Sequence, residues 1–105
     1  MFARAVTMKL KKNPDTELRR VLEEKIVPLL RKQQGFRDEI ALIAPDRLEA
    51  LAISLWETKE DAEAYNRAGY AEVVKALSGV IVGTPKVQTF EVASSTLHKV
   101  ASKTA

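Results

Sequence analysis

The sequence predicts an α+β fold of the βαββαβ, ferredoxin-like kind with a four-stranded antiparallel sheet, and three observations predict it. Phe2–Leu10 and Lys86–Val92 show the two-residue period of a strand, Phe36–Ala44 and Leu48–Trp56 make two more strands joined by hairpin residues, and two stretches carry apolar residues at three- and four-residue spacing, the period of a helix. Their order along the chain is strand, helix, strand, strand, helix, strand, which puts both helices on one face of the sheet. The third observation is size: 105 residues suffice for one domain with one real core.

Phe2, Val6, Met8 and Leu10 fall on alternate positions, with Arg4 as the interruption, and mark a first strand over 2–10. Asn13-Pro14 follows as a helix start, since Asn13 can accept from an orphan N–H and Pro14 has none to leave unpaired. Leu18, Val21, Leu22, Ile26, Leu29 and Leu30 then form one apolar stripe. Pro28 sits inside this helix, where its ring clashes with the carbonyl of Glu24 and bends or breaks the turn. Gly35 is placed as the left-handed terminator.

Phe36–Ala44 and Leu48–Trp56 are predicted as strands two and three, joined by the hairpin residues Pro45-Asp46-Arg47. Thr58 opens the second helix, with Asp61 at capping-box spacing. Gly69 interrupts it before a second apolar face made of Tyr70, Val73, Val74 and Leu77. Gly79 and Gly83-Thr84-Pro85 are expected to close this region, Lys86–Val92 to form the last strand, and 93–105 to be a tail that carries His98.

On the third strand Leu51, Ile53 and Leu55 mark one side and Ala50, Ala52 and Ser54 the other, while Ala3, Ala5 and Thr7 oppose Val6 and Met8 on the first. The helices can cover one sheet face only. The second face is an apolar patch of the kind monomers avoid, so we expect a closed homodimer formed through the sheet faces.

Composition narrows the chemistry. With no Cys and one His, disulfides, thiolate sites and the usual zinc constellations are excluded, and no metal is expected. No apolar run approaches the ~18 residues of a membrane span, so no membrane partner is expected and the protein is read as soluble and cytoplasmic. The net charge of +3 is unevenly spread: residues 1–35 hold nine Lys or Arg against four acids and residues 36–78 five against nine. That basic third is read as a solvated helix face. Nucleic-acid binding is disfavoured, because Ala3, Ala5, Ala52 and Ser54 stand where an RNA-binding sheet presents stacking aromatics. Gly79–Gly83 lacks the Lys and Ser/Thr of a phosphate loop.

At Trp56-Glu57-Thr58-Lys59-Glu60-Asp61-Ala62 the chain resembles the antibiotic biosynthesis monooxygenase family of dimeric α+β barrels. Gln33-Gln34-Gly35-Phe36, Gly83-Thr84-Pro85-Lys86-Val87 and Thr89-Phe90-Glu91-Val92 extend the resemblance over nearly the whole chain. It implies a dimeric α+β barrel and, in some members, cofactor-free oxygenation of aromatic substrates, so no cofactor is expected. Trp56 matches the family's pocket pattern, whereas Ala52 and Ala62 stand where the oxygenases carry a pocket Asn and Tyr. The haem-degrading branch is set aside, since no His occurs between Glu57 and Ser78 and Lys75 cannot replace the imidazole.

A cofactor-free oxygenase must bind an electron-rich phenol, stabilise its deprotonated form and exclude water. The substrate-binding candidates are Trp56, as a stacking surface, with Tyr65, Asn66 and Tyr70 as polar handles. Trp56, Tyr70 and His98 are the catalytic candidates, His98 as the side chain that titrates near neutrality. The competing reading is a non-catalytic dimeric protein that binds a small hydrophobic or aromatic ligand.

Overall fold

The structure, a computed structural model, describes residues 1–11, 15–44, 46, 48–98 and 100. The expected Asn13-Pro14 cap and the hairpin residues Pro45 and Arg47 lie outside the described residues. Strands β1 (Phe2–Leu10), β2 (Phe36–Ala44), β3 (Glu49–Trp56) and β4 (Ile81–Glu91) form one antiparallel sheet in the order β2-β3-β1-β4. This is the arrangement the ferredoxin-like reading requires.

The first helical region is α1 (Asp15–Val21), a π turn (Leu22–Ile26) and α2 (Val27–Arg31) in unbroken succession. The proline explains the π turn. Pro28 cannot donate and its ring crowds the preceding turn, and the backbone widens just before it, so that Val27 N–H reaches back five residues to the Leu22 carbonyl. The disturbance expected at Pro28 is therefore accommodated without ending the helix. The second region divides at Gly69 into α3 (Lys59–Ala68) and α4 (Tyr70–Leu77). Thr58 caps α3 as expected, its hydroxyl accepting from Asp61 N–H at 3.1 Å.

Three boundaries differ from expectation, the smallest being the end of β4 at Glu91, one residue before Val92. Leu48 belongs to the hairpin turn, with φ 49°, and strand β3 begins at Glu49. Strand β4 starts at Ile81, five residues before Lys86, so Gly83-Thr84-Pro85 does not end a loop but lies inside a strand. These residues form a bulge: Lys9 pairs with Val82 and Thr7 with Lys86, leaving Met8 opposite three residues. Gly83 takes φ 74° there, and Pro85, with no N–H, is tolerated because β4 is an edge strand.

The core lies between the sheet and the helices. Met8 and Leu10 of β1, Ala50 and Trp56 of β3, and Leu18, Leu22, Ile26, Leu30, Tyr65, Val73 and Leu77 of the helices form one buried cluster. On β3 the small side chains Ala50, Ala52 and Ser54 thus face the helices, and Leu51, Ile53 and Leu55 face away. Register places Ile40 and Leu42 of β2 and Phe90 of β4 on that outer face with them. Ile40, Leu42 and Phe90 are each about half exposed (53%, 48% and 50%). Among the described residues no helix is long and apolar enough to cross a membrane.

Candidate functional site

The site is built where the small residues of β3 leave room beneath the helices. Ala52 and Ser54 supply the floor, with Val6 and Met8 of β1 beside them. Leu22 and Ile26 of the π turn and Val73 and Leu77 of α4 form the roof of a cavity of about 40 Å³. That volume holds a few waters but falls short of a small-molecule pocket. An open groove of about 370 Å³ between the π turn and β2 shares Leu22 and Glu39 with it, so these two side chains separate the cavity from the groove.

The apolar lining carries one cation. Arg4, read in the sequence as an interruption of β1, has the same parity as Phe2, Val6 and Met8 and points inward, with 3% of its surface exposed. Its guanidinium carbon lies 4.7 Å from the ring centre of Tyr70 and 5.3 Å from that of Tyr65, a cation–π arrangement that offsets part of the cost of burial. Nη1 donates to Asn66 Oδ1 at 3.0 Å. Nε and Nη2 of Arg4 and the Tyr70 hydroxyl are buried with no hydrogen-bond partner among the described residues. Polar groups in that condition are rare in folded proteins.

Aromatic contacts extend this arrangement into the sheet. Trp56 stacks on Tyr65 at 4.8 Å and 25°, and Phe36 meets Trp56 edge-on at 5.6 Å. The Trp56 indole is fully buried, and its N–H donates to Ser54 Oγ at 2.9 Å. Trp56 therefore stands behind Tyr65 and does not line the cavity. The stacking surface expected of it is taken by the tyrosine, and it acts on the cavity through Tyr65.

Burial governs the titration of the site. Desolvation pushes the Tyr65 phenol well above its ordinary value against the opposing pull of Arg4, and Tyr70 is raised for the same reason. Desolvation lowers the Arg4 guanidinium, while the two tyrosines act the other way. Glu39, the carboxyl that lines the cavity, is raised by burial.

Of the residues expected from the sequence, the structure brings Trp56, Tyr65, Asn66 and Tyr70 into one cluster around Arg4. His98 is not among them. Its Nε2 pairs with Asp38 Oδ2, and Asp38 shares the outer sheet face with Leu55 and Ile40, so the tail that leaves β4 reaches β2 on the side away from the cavity. Arg4 and Glu39 are the site residues that sequence reasoning missed. Their signal was parity, since each is a charge at an inward-facing strand position.

The sequence matches no family model and no curated protein. Solved structures are similar over nearly the full chain. A protein of unknown function from Nitrosomonas europaea superposes with a TM-score of 0.75 at 16% identity, covering 94% of this chain and 95% of its own. A monooxygenase from Streptomyces coelicolor, crystallised with nanaomycin D, gives 0.73 at 21%, over 93% and 92%. SnoaB, a cofactor-independent oxygenase from Streptomyces nogalater, gives 0.70 at 16%, over 92% and 97%. Candidate antibiotic biosynthesis monooxygenases from Nitrosomonas europaea and Deinococcus radiodurans are further matches. The chain has the α+β fold of the antibiotic biosynthesis monooxygenase proteins, as the Trp56-Glu57-Thr58 region led us to expect.

Proposed function

We propose that the protein is a cofactor-independent monooxygenase acting on a small aromatic or quinol-like substrate held between the helices and the sheet. The observation that carries the reading is the buried group of Arg4, Tyr65 and Tyr70 on the wall of a mostly apolar cavity that Glu39 also lines. The fold's similarity to two oxygenases supports it.

The chemistry such a site can perform follows from charge. A phenol or keto-enol that loses a proton becomes electron-rich enough to react with dioxygen. A ring CH₂ then becomes C=O, with one oxygen atom retained and the other leaving as water with both hydrogens. The cation of Arg4 favours the deprotonated substrate through its field in a dry site. Glu39 is placed to accept the proton, since burial makes its carboxylate a stronger base than usual. Tyr70 supplies a hydroxyl for the substrate oxygen, and Trp56 fixes Tyr65 from behind. His98 has no part in this scheme.

We further propose that two copies pack through the outer sheet faces, burying Ile40, Leu42, Leu51, Ile53 and Phe90. The His98–Asp38 contact lies near the start of edge strand β2, and Ile40 and Leu42 further along that strand stay exposed.

The test is oxygen consumption with simple quinols and hydroxynaphthalenes, without added cofactor, and with ¹⁸O₂ to follow oxygen into product. Labelled product from the native chain, and none from Tyr70→Phe or Glu39→Gln, is the expected result. Binding without turnover would instead favour the second reading, a non-catalytic dimeric small-molecule-binding protein.

A further inference from the structure

We propose that the cavity selects an anion presenting two coplanar oxygens on an apolar ring, held side-on by Nε and Nη2 of Arg4 and by the Tyr70 hydroxyl. The inference rests on the cavity named above being the ligand site, but not on the ligand being turned over.

Geometry within the guanidinium leads to this ligand. Arg4 spends Nη1 on Asn66, and the two nitrogens left without partners are Nε and Nη2. These two lie on one edge of the planar group with their N–H bonds parallel, the fork that matches two oxygens sharing a negative charge. Had Nε been the nitrogen satisfied, only a monodentate or end-on contact would remain. Asn66 thus does more than hold the arginine, because it leaves the paired edge open. The Tyr65 and Tyr70 rings lie against the cation and fix its plane.

Charge and burial give the sign and the body of the ligand. No carboxylate among the described residues forms an ion pair with Arg4, which is 3% exposed, and Glu39, the carboxyl on the same cavity, is pushed by burial toward its neutral form. A neutral ligand would leave the cation without an ion-pair partner, whereas an anion supplies one in a setting where charge-assisted hydrogen bonds are strong. Apart from Ser54 and Glu39, the remaining walls, among them Val6, Met8, Leu22, Ile26, Leu30 and Val73, are hydrocarbon and suit a flat apolar ring. Two sources share this chemistry: an aromatic carboxylate, and an enolate whose charge is spread over adjacent ring oxygens.

The experiment titrates the full-length protein by calorimetry with benzoate and with tropolonate, at a pH where both are ionised, and with their neutral counterparts benzamide and 2-methoxytropone. The native chain is expected to bind at least one anion about tenfold or more tightly than its neutral counterpart, and Arg4→Lys, which keeps the charge but loses the fork, is expected to abolish that preference. Benzoate alone identifies the carboxylate, tropolonate alone the enolate, and both the shared two-oxygen chemistry. Should Arg4→Lys not fold, the Nε–H resonance of Arg4 in ¹⁵N-labelled native protein gives the same answer by moving downfield with the anion and not with the neutral compound. Equal binding of anion and neutral compound, undiminished preference in Arg4→Lys, or no anion bound at millimolar concentration overturns the inference. Failure of oxygen uptake alongside anion-selective binding overturns the oxygenase reading and leaves this one standing.

Discussion

Arg4 lies over the face of Tyr70, 4.7 Å from its ring centre, while the hydroxyl of the same tyrosine is buried and unpaired. The ring and the hydroxyl therefore contribute in opposite directions. The face stabilises a buried cation, and the hydroxyl costs desolvation that no hydrogen bond returns.

Tyr70→Phe separates the two. It keeps the ring and removes the unpaired group, so thermal stability is expected to hold or to rise by up to about 1 kcal/mol. Ligand affinity and oxygen consumption are expected to fall. Melting curves and activity measured on one preparation check both, and a variant that loses stability shows that the hydroxyl has a partner in solution.

Gly35→Ala is expected to be among the most damaging single substitutions. Gly35 has φ 80°, and a Cβ there would stand 2.1 Å from Asp61 Oδ2, while its carbonyl accepts from Glu57 N–H at 2.7 Å. The strained backbone alone costs on the order of 1–3 kcal/mol, and the clash adds to it. Chemical denaturation should show Gly35→Ala/Asp61→Ala recovering the steric part and not the backbone part.

Glu39→Gln is expected to stabilise the fold at neutral pH while removing the proposed base. The folded-state pKa of Glu39 is raised above its ordinary 4.5, so its contribution is fully present below that pH and is lost as pH rises through the folded value. At pH 7 the native chain therefore carries a desolvation penalty that Gln does not. Melting temperatures of the two proteins should converge below about pH 4.5.

The outer sheet face gives a fourth expectation. Ile40→Asp/Leu42→Asp places two charges among apolar side chains that are half exposed in one chain, without touching the core. Sedimentation should show a dimer for the native chain and a monomer for the variant, with the circular dichroism of both unchanged. A native monomer at micromolar concentration would remove the dimer from the proposal.

Most of the fold was legible because its first and last strands alternate, hairpin residues separate the two between them, and its helices carry apolar stripes. What escaped the sequence did so for particular physical reasons. Gly83-Thr84-Pro85 reads as punctuation, yet an edge strand absorbs it as a bulge because no partner lies beyond to demand the missing N–H. Arg4 reads as a flaw in β1 because a buried, unbalanced cation contradicts the pattern that identifies a strand. Local pattern cannot show that Asn66, 62 residues away, and two tyrosines on different helices converge on it. The tyrosines and Trp56 were legible as a group, but their order, with Tyr65 in front and Trp56 behind, depends on how α3 crosses β3. His98 stood out by its titration range, a property of the residue and not of its place.

The widened turn at Leu22–Ile26 has one more consequence. An extra residue accommodated within a helix shifts the angular phase of everything downstream, so Leu30 reaches the core only because this surplus is retained. The wall of the cavity and the alignment of the following helix are thus set by the same five residues. A one-residue deletion there, although it would give a more regular helix, would turn Leu30 away from the core and displace Leu22 and Ile26 from above Ala52 and Ser54.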